Sequence, residues 1–77
     1  MTERIKLIWD FRGPDALHTA EHHQIHLDEY VAMEKVPDTV SGYEQLSEFH
    51  SIAFLTVNRE NMIAVRDALK PHRGEVG

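Results

Sequence analysis

Ile5-Lys6-Leu7-Ile8-Trp9-Asp10-Phe11-Arg12-Gly13-Pro14-Asp15 contains the change of period on which the fold turns. Ile5, Leu7, Trp9 and Phe11 alternate with Lys6, Ile8 and Asp10, a period of two that predicts a half-buried strand over 4–11. Gly13-Pro14 ends it, and Pro14-Asp15 suits the first turn of a helix, where a missing N–H costs nothing. No Gly or Pro follows until Pro37, so the helix is expected over 15–35. Leu17, Ala20, Gln24, Leu27 and Val31 form its apolar stripe, with Ala16, His23 and Tyr30 along one flank. His18, His22, His26 and Glu29 lie on the opposite face, in company with Ile25 and Met33.

Beyond the turn-rich Pro37-Asp38 and Ser41-Gly42, two stretches read as strands, over 43–49 and 51–57, with a tight turn near His50-Ser51 or a bulge between them. Asn58 is a good N-cap, and Met62, Val65 and Leu69 recur at helical spacing, which predicts a second helix over 59–70 that stops at Pro71. The tail from His72 to Gly77 is too short for a full strand and offers at most a short edge pairing.

The order β-α-β-β-α predicts an α+β two-layer sandwich over 1–77 as a single domain, with both helices on one face of the sheet and a fourth strand missing or vestigial. In the stretch 52–57, Ile52 and Phe54 face one way and Ala53, Leu55 and Val57 the other, so both faces of that strand are expected to be covered. A second copy packed sheet to sheet is the simplest cover. A homodimer would also supplement the small core of a chain of 77 residues.

Composition narrows the function classes. Hydrophobic residues make up 42% and charged ones 27%, a globular balance. No apolar run approaches the roughly 20 residues of a membrane helix, and Met1-Thr2-Glu3-Arg4 lacks the order of a secretory signal, so a cytoplasmic protein is expected. The absence of cysteine removes disulfides, thiolate zinc sites and thiol nucleophiles. A net charge of −5 with scattered Lys and Arg argues against nucleic acid as a partner.

The element order and the segment His23-Gln24-Ile25-His26-Leu27-Asp28-Glu29-Tyr30 resemble the ferredoxin-like, dimeric α+β barrel superfamily. Within it they are similar to small YCII-related and EthD-like proteins, which carry a histidine, a leucine and then an aromatic on that helix. The histidine of that pattern falls on His26, and His23 stands where an arginine is usual. The resemblance implies a dimer whose sheets enclose a cleft for a small, often aromatic or lactone-like compound.

Six histidines dominate the chemistry available. His23, on the flank of the apolar stripe beside Tyr30, is the candidate acid/base group, with Asp10, Glu48 or His50 as partners, in a cleft expected between the first helix and the sheet. His23, Asp10 and Tyr30 are the candidate catalytic set. Arg12, His26, Glu48 and His50 are the candidate ligand contacts, Arg12 because it precedes a helix N-terminus that attracts anions. This reading calls on no cofactor. A metal-binding alternative uses His18, His22 and His26, which rise along one helical face about 6 Å apart and suit zinc or nickel if Glu29 or a partner histidine completes the shell. An interaction domain without chemistry is the third possibility. Lys70, His72 and Arg73 read as cations offsetting a helix C-terminus.

Overall fold

A computed structural model describes residues 3–76. Met1, Thr2 and Gly77, which enter the sequence readings of the start and of the tail, lie outside the described residues. The elements are β1 (Arg4–Arg12), α1 (Ala16–Glu34), β2 (Val40–Ser47), β3 (His50–Asn58), α2 (Arg59–Leu69) and β4 (Arg73–Val76). The chain is α+β, with two helices and a four-stranded antiparallel sheet in the order β2-β3-β1-β4.

Both β1 and β2 run antiparallel to β3, so they are parallel to each other with β3 inserted between them. In the same way β4 lies beside β1, which separates it from β3. Two interleaved split β-α-β units result, an arrangement compatible with a ferredoxin-like fold.

Alternation assigns the two faces. Leu7 and Trp9 of β1 and Ala53, Leu55 and Val57 of β3 point to the helices and form the core with Ala20 and Leu27 of α1 and Val65 of α2. Burying an aliphatic side chain of this kind contributes about 1.5–3 kcal/mol. The Trp9 indole N–H donates to the carbonyl of Leu69 at 3.1 Å, tying the last turn of α2 to β1. Lys35 and Lys70 end the two helices in the left-handed conformation, at φ 53° and 50°.

The helix-free face carries Lys6, Ile8, Asp10 and Arg12 of β1 opposite Thr56, Phe54, Ile52 and His50 of β3. Ile8 and Ile52 are only 1% and 4% exposed although no helix covers them. Their own chain seals them. Phe54 stands across from Ile8 with its ring over Gly42, and the Lys6 ammonium lies 4.4 Å from the centre of that ring. Two-sided apolarity in β3 therefore does not by itself demand a second copy, as the sequence pattern suggested.

The fourth strand is present as the short edge pairing allowed for the tail, four residues long and paired with β1 from Ile5↔Val76 to Ile8↔Arg73. Other expectations need correcting. Strand β2 starts three residues before the expected position, because Val40 and Ser41 already pair with Thr56 and Leu55. The turn falls at Glu48-Phe49 rather than His50-Ser51, after a register shift between Gln45 and Ser47. No described helix is long and apolar enough to cross a membrane.

Candidate functional site

Asp10 lies near the end of β1 and points to the helix-free face, because alternation sends Trp9 and Phe11 to the other. The ladder delivers two partners to it. Arg12 pairs with His50 on one side and Ile8 with Arg73 on the other, so both partners stand diagonal to Asp10. His50 Nε2 is 2.9 Å from Asp10 Oδ1. Arg73 donates from Nε to Oδ2 at 3.0 Å and from Nη2 to Oδ1 at 3.2 Å, a two-pronged grip of the kind guanidinium and carboxylate favour.

The Arg73 fork holds the Asp10 carboxyl below the usual aspartate range; partial burial opposes this and His50 adds to it. An ionised carboxylate only accepts, so His50 Nε2 is the donor, and its Nδ1 is the nitrogen left to take up a proton. The side chains of Asp10 and His50 are each 19% exposed, enclosed enough to hold their geometry and open enough to meet a solute.

His72 approaches Asp10 from the edge. Its backbone N–H donates to Ile8 O at 2.9 Å, and its Nδ1 accepts the Asp10 backbone N–H at 2.8 Å. An imidazole thus extends the β1–β4 ladder where β4 begins, which places the ring proton on Nε2.

His23 belongs to the other side of the sheet. Its ring packs 4.9 Å from that of Trp9 and 5.4 Å from that of Phe11, centroid to centroid. Nε2 is buried with no hydrogen-bond partner among the described residues. Burial pushes the His23 pKa down, and the nearby charges of His26 and His72 push the same way. Ser51, which pairs with Phe11 across the ladder, holds a second buried polar atom without a partner, its hydroxyl oxygen.

The expected set His23, Asp10 and Tyr30 is therefore divided by the sheet. Tyr30 packs against the core from α1, on the helix side with His23. Asp10 and His50, read from the sequence as possible partners, do meet, but with each other. Arg12 is exposed opposite His50, Glu48 is exposed in the β2–β3 turn, and His26 is exposed on α1. His18 and His22 bring their ring centroids within 4.5 Å, yet among the described residues no three His, Asp or Glu side chains gather closely enough to hold a metal.

Sequence reasoning missed Arg73 and His72 as partners of Asp10. The signal was the alternation Arg73-Gly74-Glu75-Val76. Once that segment is taken as a strand beside β1, Arg73 and Glu75 fall on the face of Asp10.

On the sheet-facing stripe of α1, Ala20 and Leu27 are fully buried. A cavity of about 450 Å³ lies between α2 and β4, lined by Ile5, Leu7, Met62 and Val76 together with Arg66 and His72. Comparison with protein-family models, with curated proteins and with solved structures finds no match to this chain.

Proposed function

We propose that the chain binds a small organic ligand on the helix-free face of its sheet and that the Asp10–His50 pair moves a proton on that ligand. The observation that carries this reading is the 2.9 Å contact from His50 Nε2 to an Asp10 carboxylate that Arg73 keeps ionised. A fixed carboxylate orients the imidazole and stabilises the imidazolium formed when Nδ1 accepts a proton. Carbonyl and lactone compounds, which present an α-hydrogen and a polar oxygen to a positioned imidazole, are the ligand class. No cofactor enters the reaction in this reading.

The working unit in this reading is a homodimer, supported by the small core that a chain of 77 residues can bury. A second reading, an interaction domain without chemistry, draws support from the large apolar side chains exposed along β2 and its turn.

The test uses unsaturated lactones and aryl ketones in deuterated buffer. Wild-type protein is expected to shift the His50 ring resonances on titration and to speed exchange of the ligand's α-hydrogen for deuterium, with both effects lost in His50→Gln. Exchange at the same rate in that variant, or no shift with any compound, would overturn the reading.

A further inference from the structure

The two edges of the sheet differ in how they are protected. Edge strands expose unpaired backbone N–H and C=O groups, and natural sheets blunt them by shortness, by charge or by proline. Strand β4 is blunted in two ways, being four residues long with Arg73 and Glu75 on it. Strand β2 is eight residues long, carries Glu44 as its single charge and has no Lys or Pro. Its one irregularity, between Gln45 and Ser47, sits at the hairpin end and leaves Val40 to Gln45 in regular pairing with β3.

The apolar surface is distributed in the same sense. Of the nine large hydrophobic side chains exposed among the described residues, Val40, Tyr43 and Leu46 lie on β2 and Phe49 lies in the turn after it. The concentration on one edge sets it apart from singly scattered apolar residues, which need no explanation.

We propose that β2 is the edge through which this chain joins a second copy of itself, strand β2 pairing antiparallel with β2 of the other chain to make one continuous sheet. An extended strand is what such an edge accepts, and a two-fold axis normal to the sheet supplies an identical strand in the antiparallel sense. The axis passes at Tyr43. In that register Tyr43 meets its own counterpart, Gly42 meets Glu44, and Ser41 meets Gln45. Side chains stay on matching faces because opposed positions share parity. The two Glu44 carboxylates do not face each other, whereas a register centred on Glu44 would set them opposite at a cost. An aromatic pair at the centre is among the favourable cross-strand contacts.

This inference rests on the homodimer of the proposed function but not on its chemistry, and it replaces sheet-to-sheet packing with edge pairing. It leaves the Asp10–His50 face open to solvent in the dimer, since edge pairing extends the sheet sideways and covers neither of its faces.

Sedimentation equilibrium at micromolar concentration tests it with three proteins, each confirmed folded by circular dichroism. Wild type is expected to be a dimer. Tyr43→Lys places two ammonium groups together on the axis and should raise the dimer dissociation constant at least tenfold. Thr56→Lys, which adds a charge to the helix-free face of β3, should leave it unchanged. A monomeric wild type would overturn the homodimer and this inference together. A dimer broken by Thr56→Lys and untouched by Tyr43→Lys would overturn the edge assignment alone and restore sheet-to-sheet packing.

Discussion

Arg73 grips Asp10 with two hydrogen bonds, at 3.0 and 3.2 Å, across a separation of 63 residues in the sequence. The grip fixes the charge of Asp10. A carboxyl whose folded pKa is depressed contributes stability that is present above its unfolded pKa and is lost as pH falls through the folded one. Urea denaturation of the wild type is expected to show stability declining as pH drops below the ordinary aspartate range. Asp10→Asn should flatten that part of the profile. An unchanged acid profile in the variant would mean that Asp10 is not held by Arg73 in solution.

His23 has the opposite charge type and the same direction of shift. With its folded pKa lowered, the unfolded chain takes up a proton first as pH falls, so stability is full above the ordinary histidine value and declines between that value and the lower folded one. The melting temperature should therefore fall between pH 7.5 and 5.5 by an amount that His23→Phe reduces, since a phenyl ring occupies the same slot against Trp9 and Phe11. Equal slopes for the two proteins would mean that His23 is not the source of the pH dependence.

Ser51 is 1% exposed and its hydroxyl has no partner among the described residues. Leaving such a group unpaired costs about 1–3 kcal/mol, so Ser51→Ala is expected to stabilise the fold by about 1 kcal/mol, read as a higher urea midpoint at unchanged m. A destabilised variant would show that the hydroxyl is satisfied in solution.

Gly42 leaves room for the Phe54 ring. A Cβ built there would lie 2.6 Å from Phe54 Cζ, so Gly42→Ala forces the ring from its place over residue 42 and should cost about 1–3 kcal/mol. Combining it with Phe54→Leu should recover most of the loss. Additive effects in the double-mutant cycle would show that the two positions do not touch.

The sequence made much of the helix side of this fold legible. The period-two run in β1 and the unbroken helical stretch of α1 are local signals, and both lie within one or two residues of their expected limits. The end of β2 and the start of β3 were less legible because Glu48-Phe49 contains no Gly, Pro or Asn to mark a turn. Strand β4 was hidden for another reason: four residues carry little periodicity, and their pairing with β1 is a long-range event. At the candidate site, Asp10 and His50 were both visible as titratable groups near strand ends. The same alternation that identified β1 already forbids Asp10 from sharing a face with side chains that touch Trp9 and Phe11, and that is why His23 and Asp10 stand apart.

Strand β4 holds Arg73 against Asp10 with four exposed residues on the outside of β1 and takes no part in the core. Segments with so few buried contacts open at small free-energy cost while the rest of a protein stays folded. Fraying of β4 would release Arg73, let Asp10 regain an ordinary affinity for protons and loosen its hold on His50. The ionisation of Asp10 is thus governed by a local opening equilibrium at the sheet edge, so amide exchange along β4 and the titration of Asp10 should respond together to temperature and denaturant.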